Sequence, residues 1–258
     1  MLARPRGSSL LALALIFCLC AAPCRAQDTQ DEGRRTLGRF PGNLARSLGG
    51  LFDQESVRPF IVGGLATGAS FAFDDEVRDA VANPGTSFGR VMEKAGGPLV
   101  SSLFVGGLFV AGQVADNQRF RAVTYDMAGA SIVTAGLTAA FKFAVHRKRP
   151  DGSDNRSFPS GHTSAAFALA SVAEQHYGWK VGAAAYAAAA AMGASRLMED
   201  KHYLSDVVAG ATLGYIVGTA TVRVNSEPLP ATAAPVAVWS VSPVLGPRVR
   251  GVMVSVLF

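Results

Sequence analysis

Apolar residues along this chain fall into long uncharged runs separated by short polar knots. One run lies near the start, from Leu10 to Cys20. Six more follow: Pro59–Phe73, Ala95–Ala115, Met127–Phe141, Ser157–Ala173, Val181–Ser195 and Val207–Val222. These six are 15 to 21 residues long and rich in Ala and Gly. They lack the two-residue alternation of strands, which predicts helices. A helix apolar on every side is buried in a large core or in lipid. Crossing a bilayer takes about 20 apolar residues, and only Ala95–Ala115, with 21, meets that comfortably. The pattern predicts an all-α fold: a bundle of about six core helices over 58–222.

The flanks read differently. Residues 27–57 are polar and dotted with arginine, which predicts a loose, flexible arm with one short helix at most. Residues 223–235 read as a Pro/Ala/Ser linker. Residues 236–258 are valine-rich and alternating, with a break at Gly246-Pro247, and predict a short C-terminal β-hairpin.

The first run changes the chemistry available. Arg4 and Arg6 precede Leu10–Cys20, and Cys24-Arg25-Ala26 fits a small-x-small cleavage site, so residues 1–26 read as a secretory signal. An uncleaved first membrane helix is the other reading. All three cysteines (Cys18, Cys20, Cys24) lie in this segment. Cleavage would leave an exported protein with no disulfide and no thiol chemistry. It would also cut basic residues from 24 to 21 while acids stay at 19, taking the net charge from +5 to +2. So small an excess gives no reason to expect nucleic acid as a partner. Only 17% of residues are charged, below the roughly 25% of an average soluble domain, which leans towards contact with a membrane.

Three knots hold most of the polar residues of the helical region: Lys142-x6-Arg149-Pro150, Pro159-Ser160-Gly161-His162, and Ser195-Arg196-x5-His202-x3-Asp206. Each has an ordinary reading by itself. Pro159 and Ser160 suit a capped helix start. His202 and Asp206, four apart, suit a helix-surface pair. Lys142, Arg149 and Arg196 suit helix ends, and Arg147-Lys148-Arg149 suits a solvated loop. Taken together they hold three cations, a helix N-terminus that can bind an anion, two histidines and one acid able to orient an imidazole. That is the equipment for phosphoryl transfer to an enzyme nucleophile, which asks for positioning and charge stabilisation.

These blocks, read as KFAVHRKRP, PSGH and SRLMEDKHYLSD, resemble the signature of the type 2 phosphatidic acid phosphatase and vanadium haloperoxidase superfamily. Residues and spacing match without departure, and the likeness in helix pattern extends over roughly 58–222. The resemblance implies His202 as nucleophile, Asp206 as its orienting acid, and His162 as general acid and then base. It implies Lys142, Arg149, Ser160, Gly161 and Arg196 as phosphate ligands, with no metal and no cofactor. The substrate would be a lipid phosphate or a small phosphomonoester. Two other readings stay open: a vanadate-dependent haloperoxidase, since the same cradle can hold vanadate, and a non-enzymatic envelope protein with a relic site. His146 and His176 match no motif position and read as structural.

A cleaved signal starts the mature chain outside the cytoplasm. If the runs at 59–73, 95–115 and 127–141 all crossed, Lys142 would face the cytoplasm. Either one run does not cross, the short Pro59–Phe73 being the natural one, or the domain is a compact bundle that only leans on the membrane; the site is expected to face outward, into the periplasm if the source is a Gram-negative bacterium.

Overall fold

A computed structural model describes residues 34–227 and, for the backbone alone, 238–245 and 250–257. Polar residues at the breaks between apolar runs start several of the helices. Asn117 accepts the Phe120 N–H at 2.9 Å and opens the longest helix. Thr86 accepts the Gly89 N–H in the same way. Such caps satisfy donors that have no helical partner. In chain order the helices are α1 (Phe40–Gly50), α2 (Gln54–Ser70), α3 (Asp74–Val81), α4 (Ser87–Ala95), α5 (Pro98–Val114), α6 (Gln118–Val145), α7 (Gly161–Tyr177), α8 (Trp179–Met198) and α9 (Leu204–Ser226). The expected all-α bundle is therefore present.

Helix α9 is the central post, and glycine is what lets α7 reach it. A Cβ on Gly210 would lie 2.6 Å from the Ser160 carbonyl oxygen. One on Gly214 would lie 2.2 Å from that of Ser164, and one on Gly218 2.6 Å from that of Ala168. No side chain fits between two backbones that close, so a glycine every fourth residue makes the contact possible. Val123, Ala130 and Val133 of α6 join Ala168 and Val172 of α7 and Leu213, Ile216, Val217 and Ala220 of α9 in the main core. A second cluster, Val77, Leu197, Leu204, Val207 and Val208, packs α3 against the α8–α9 junction.

Three expectations need correcting. Residues 34–57 are not a loose arm. Leu44 and Leu51 join the main core, and Arg35 is 2% exposed. Its guanidinium donates to Asp126 from Nε at 3.1 Å and from Nη2 at 2.9 Å. The segment is polar because it meets buried polar groups, not because it is solvated. The Ala95–Ala115 run is not one helix. Gly96-Gly97 ends α4 and Pro98 opens α5, leaving a 50° bend and only 17 residues in α5. Residues 223–226, expected in the linker, belong to α9, which continues to Ser226; residues 228–235 of the expected linker lie outside the described residues.

The signal segment 1–26 lies outside the described residues. The expected hairpin falls on two extended stretches, Val238–Leu245 and Arg250–Leu257. Their side chains and the turn between them lie outside the described residues, so the hairpin stays an expectation.

By length and composition α6 and α9 could each cross a membrane, and bent α4–α5 could form a third span. The apolar window of α9 is 78% buried inside the protein and that of α6 33%, so α9 is chiefly a core helix. Large apolar side chains are exposed on α2 (Ile61, Leu65), α5 (Leu99, Leu103, Phe104, Val110) and α6 (Ile132, Phe143). Lipid suits such surfaces better than water.

Candidate active site

The three polar knots meet at one end of the bundle because each lies at a helix end pointing the same way. Lys142 sits in the last turn of α6, which stops when His146 adopts a left-handed conformation (φ 50°) and returns its N–H to the Lys142 carbonyl at 3.2 Å. The chain then runs through Arg147 and Arg149 to the start of α7. Ser160 is the N-cap residue of α7, but its hydroxyl makes no capping bond. Instead it accepts from Thr163 Oγ1 at 2.9 Å. Its backbone N–H donates to the Asp206 carbonyl at 2.9 Å, joining the starts of α7 and α9. Arg196 closes α8, and a loop carrying His202 leads to α9, where Asp206 occupies the first turn.

His202 is 4% exposed, and its Nδ1 lies 3.6 Å from Asp206 Oδ2. That is longer than a formed hydrogen bond. The carboxylate is held by others: Oδ2 accepts from Ser157 Oγ at 2.5 Å and the Tyr203 N–H at 2.9 Å, and Oδ1 from Arg147 Nη1 at 2.8 Å. The phosphate candidates are likewise prearranged. Arg149 donates from Nε to Asp154 Oδ1 at 2.8 Å, and Lys142 Nζ donates to the Arg156 carbonyl. The Asp151–Lys201 pair at 2.6 Å and the Arg78–Asp200 pair at 2.7 Å tie the two motif loops to each other and to α3. Asp151 and Asp154 thus brace the site.

His202 Nδ1, His162 Nε2 and Arg196 Nη2 are each buried without a hydrogen-bond partner. Leaving such a group unpaired costs about 1–3 kcal/mol; His202 Nδ1 faces Asp206, while His162 Nε2 and Arg196 Nη2 point to a polar ligand that would satisfy them. Both histidines are held neutral at ordinary pH. Burial pushes His202 down to about 4; Asp206 opposes this, and Lys142 and Arg149 add to it. Burial also pushes His162 down to about 4, reinforced by Arg196 and His202. The two histidines and the charges that act on them, Lys142, Arg149, Arg196 and Asp206, form one cluster. The α4–α5 elbow abuts it: a Cβ on Gly96 would come within 2.5 Å of His162 Cδ2. Among the described residues no group of three or more His, Cys, Asp or Glu is placed to hold a metal ion.

All eight residues singled out from sequence lie at this end of the bundle: Lys142, Arg149, Ser160, Gly161, His162, Arg196, His202 and Asp206. Four others were missed. Arg147, read as part of a solvated run, points inward onto Asp206. Ser157, Ser205 and Asp74 complete its surroundings. Asp74 lies 68 positions before Lys142, and no local spacing links it to the motifs.

Residues 124–228 match the PAP2 superfamily, a stretch that contains all three motif blocks. A lipid A 1-phosphatase of Porphyromonas gingivalis is 31% identical over 230 residues, covering 83% of this chain and 49% of that protein. The chain thus spans about half the length of the curated relative it matches. A crystal structure of Aquifex aeolicus LpxE, 22% identical, covers 52% of this chain and 92% of its own. Its TM-score of 0.36 is too low to relate the two folds in detail. With its motif blocks intact inside the matched stretch, this chain belongs to the type 2 phosphatidic acid phosphatase (PAP2) superfamily.

Proposed function

We propose that this protein is a metal-independent phosphatase that hydrolyses a lipid phosphate through a phosphohistidine intermediate, acting at the outer face of a cell-envelope membrane. The observation that carries the reading is the set of buried, unpaired atoms on His202, His162 and Arg196 beside Lys142 and Arg149. A phosphate group would satisfy His162 Nε2 and Arg196 Nη2, and Asp206 would take His202 Nδ1 as the site closes. Arg149 and Arg196 present donor pairs for its oxygens, Lys142 adds a point charge, and the first turn of α7 adds backbone N–H groups. These cations take the charge-neutralising role that a metal fills in other phosphoryl-transfer sites.

In the proposed reaction His202 Nε2 attacks phosphorus while its Nδ1–H donates to Asp206, the 3.6 Å gap closing as substrate binds; such tightening is common in Michaelis complexes. His162 gives its proton to the departing oxygen. It then takes a proton from the water that splits the phosphohistidine, which returns His202 and releases phosphate. The exposed apolar helices favour a substrate held in a membrane. The name of the P. gingivalis relative, lipid A 1-phosphatase, points to the same class. The test is phosphate release from phosphatidate, lipid A 1-phosphate and a water-soluble phosphomonoester in excess chelator. Turnover of a lipid substrate at an undiminished rate is expected. Abolition by chelator would overturn metal independence, and turnover of the soluble ester alone would overturn the lipid preference.

The acid role sets a condition on His162. With a pKa of about 4, it carries little proton at neutral pH. A bound phosphate dianion offsets the cations around His162 and favours the imidazolium. Binding of vanadate, a phosphate mimic, is expected to raise the His162 pKa by at least about one pH unit. Nitrogen-15 NMR of the imidazole measures this, and a titration unmoved by saturating vanadate would remove His162 as the acid.

A further inference from the structure

Arg147 lies between two motif residues and belongs to neither. Its guanidinium is sandwiched by aromatic rings, with Cζ 4.8 Å from the Phe71 centroid and 4.1 Å from that of Tyr203. Nη1 donates to Asp206 Oδ1 at 2.8 Å and to Ser205 Oγ at 2.6 Å. Nη2 donates to Asp74 Oδ2 at 2.7 Å. Asp74 is 5% exposed. It also accepts the Ser205 N–H at 2.8 Å and the Ser205 hydroxyl at 2.7 Å. The arginine therefore cannot turn without breaking contacts on both faces and at both nitrogens.

The two oxygens of Asp206 have separate duties. Oδ1 meets Arg147. Oδ2 takes Ser157 and Tyr203 and faces His202. A carboxylate gripped at both oxygens has a fixed plane; Ser157 and Tyr203 hold Oδ2, and Arg147 supplies the hold on Oδ1 that stops the group from turning. We infer that Arg147, itself anchored by Asp74 and Ser205, is a positioning residue that fixes the Asp206 carboxylate so that Oδ2 meets the imidazole of His202. The inference rests on the phosphohistidine reading for its kinetic consequences, but the geometric claim stands apart from it.

Charge gives the device a signature. Asp206 and Asp74 share one arginine, so one negative charge remains. His202 also faces Lys142 and Arg149 from α6 and the loop after it, His162 from α7, and Asp206 from α9. None of these changes in the variants below. Arg147→Gln removes a nearby cation and should raise the pKa of His202. Asp74→Asn removes a nearby anion and should lower it. A scaffold defect would not move the titration in opposite directions.

The test uses the full chain in detergent with Arg147→Gln, Arg147→Lys and Asp74→Asn. It reads the His202 titration by nitrogen-15 NMR and turnover of phosphatidate in mixed micelles. Arg147→Gln should lower kcat about 10–100-fold, the range seen when residues that orient reactive groups are removed, with KM within about twofold because Arg147 does not touch substrate. The acid limb of kcat should move up with the His202 titration. Arg147→Lys keeps the charge but not the fork, so the limb should return to its wild-type position with only part of kcat. If Arg147→Gln fails to fold, Arg147→Lys and Asp74→Asn decide. The inference is overturned if His202 titrates alike in all variants, or if KM rises while kcat holds. If wild type hydrolyses nothing, or His202→Ala keeps its activity, the phosphohistidine reading falls. The opposed shifts in the NMR titration would still uphold the clamp.

Discussion

Replacing His202 with alanine is expected to lower kcat by at least about 10⁴-fold, a loss of the size seen when a covalent nucleophile is removed. That factor corresponds to roughly 5–6 kcal/mol of lost transition-state stabilisation. Alanine leaves the cations and the α7 N-terminus in place, so affinity for inorganic phosphate should change only a few-fold. No neighbour can take over the attack. Among the described residues no carboxylate is hydrogen-bonded to His162, and its free nitrogen is needed for proton transfer. Removing His162 should cost less, about 10²–10⁴-fold, because it deletes a proton donor and not the bond-forming atom. Steady-state turnover alongside competitive inhibition by phosphate measures both terms. A His202→Ala protein that kept more than about a hundredth of wild-type kcat would rule out the covalent route. The pH profile offers a second check. His202 attacks only when neutral, and its pKa of about 4 means that activity should fall as pH drops through that value.

The site was legible in the sequence because its residues sit at fixed offsets on helix ends. Lys142, Arg196 and Asp206 each mark a point where an apolar run starts or stops, Ser160 marks the start of a helix, and these four helix ends meet at one end of the bundle. The offsets held no trace of what secures the pocket. Asp74 reaches Arg147 and Ser205 across 73 and 131 positions, a contact fixed by tertiary packing alone. The reading of Arg147 failed for a related reason. In sequence it is one of three basic residues in a row, and only the left-handed turn at His146 aims it inward while Lys148 stays exposed. Run length misled about helix length in both directions. Gly96-Gly97-Pro98 broke a run of 21. Met127–Phe141, a run of 15, belongs to a helix of 28 because charged residues such as Asp126 continue it.

That aspartate carries the second large effect. Asp126 is fully buried at the end of α6 away from Lys142. Sixteen residues separate the two, about 24 Å along a helix. It accepts from Arg35 Nε and Nη2 and from Asn225 Nδ2 at 2.8 Å, and meets His176 Nε2 at 2.8 Å. One carboxylate thereby joins the segment before α1 to the ends of α7 and α9. Asp126→Ala would leave the Arg35 guanidinium buried without its counter-charge. Breaking such a pair costs about 3–5 kcal/mol. For a chain of this size that corresponds to a fall of roughly 6–20 °C in Tm. Below that transition turnover should stay near wild type, because no catalytic group touches the network. The double variant Arg35→Met with Asp126→Ala should recover part of the loss, since it removes both charges and not one. Thermal unfolding in detergent of the two variants, with turnover measured at low temperature, separates the possibilities. A Tm within about 2 °C of wild type for Asp126→Ala would mean that Arg35 finds water or another acceptor once the carboxylate is gone. A double variant no more stable than the single one would mean that the four-way geometry of the carboxylate, and not the buried charge, is what holds this end of the bundle.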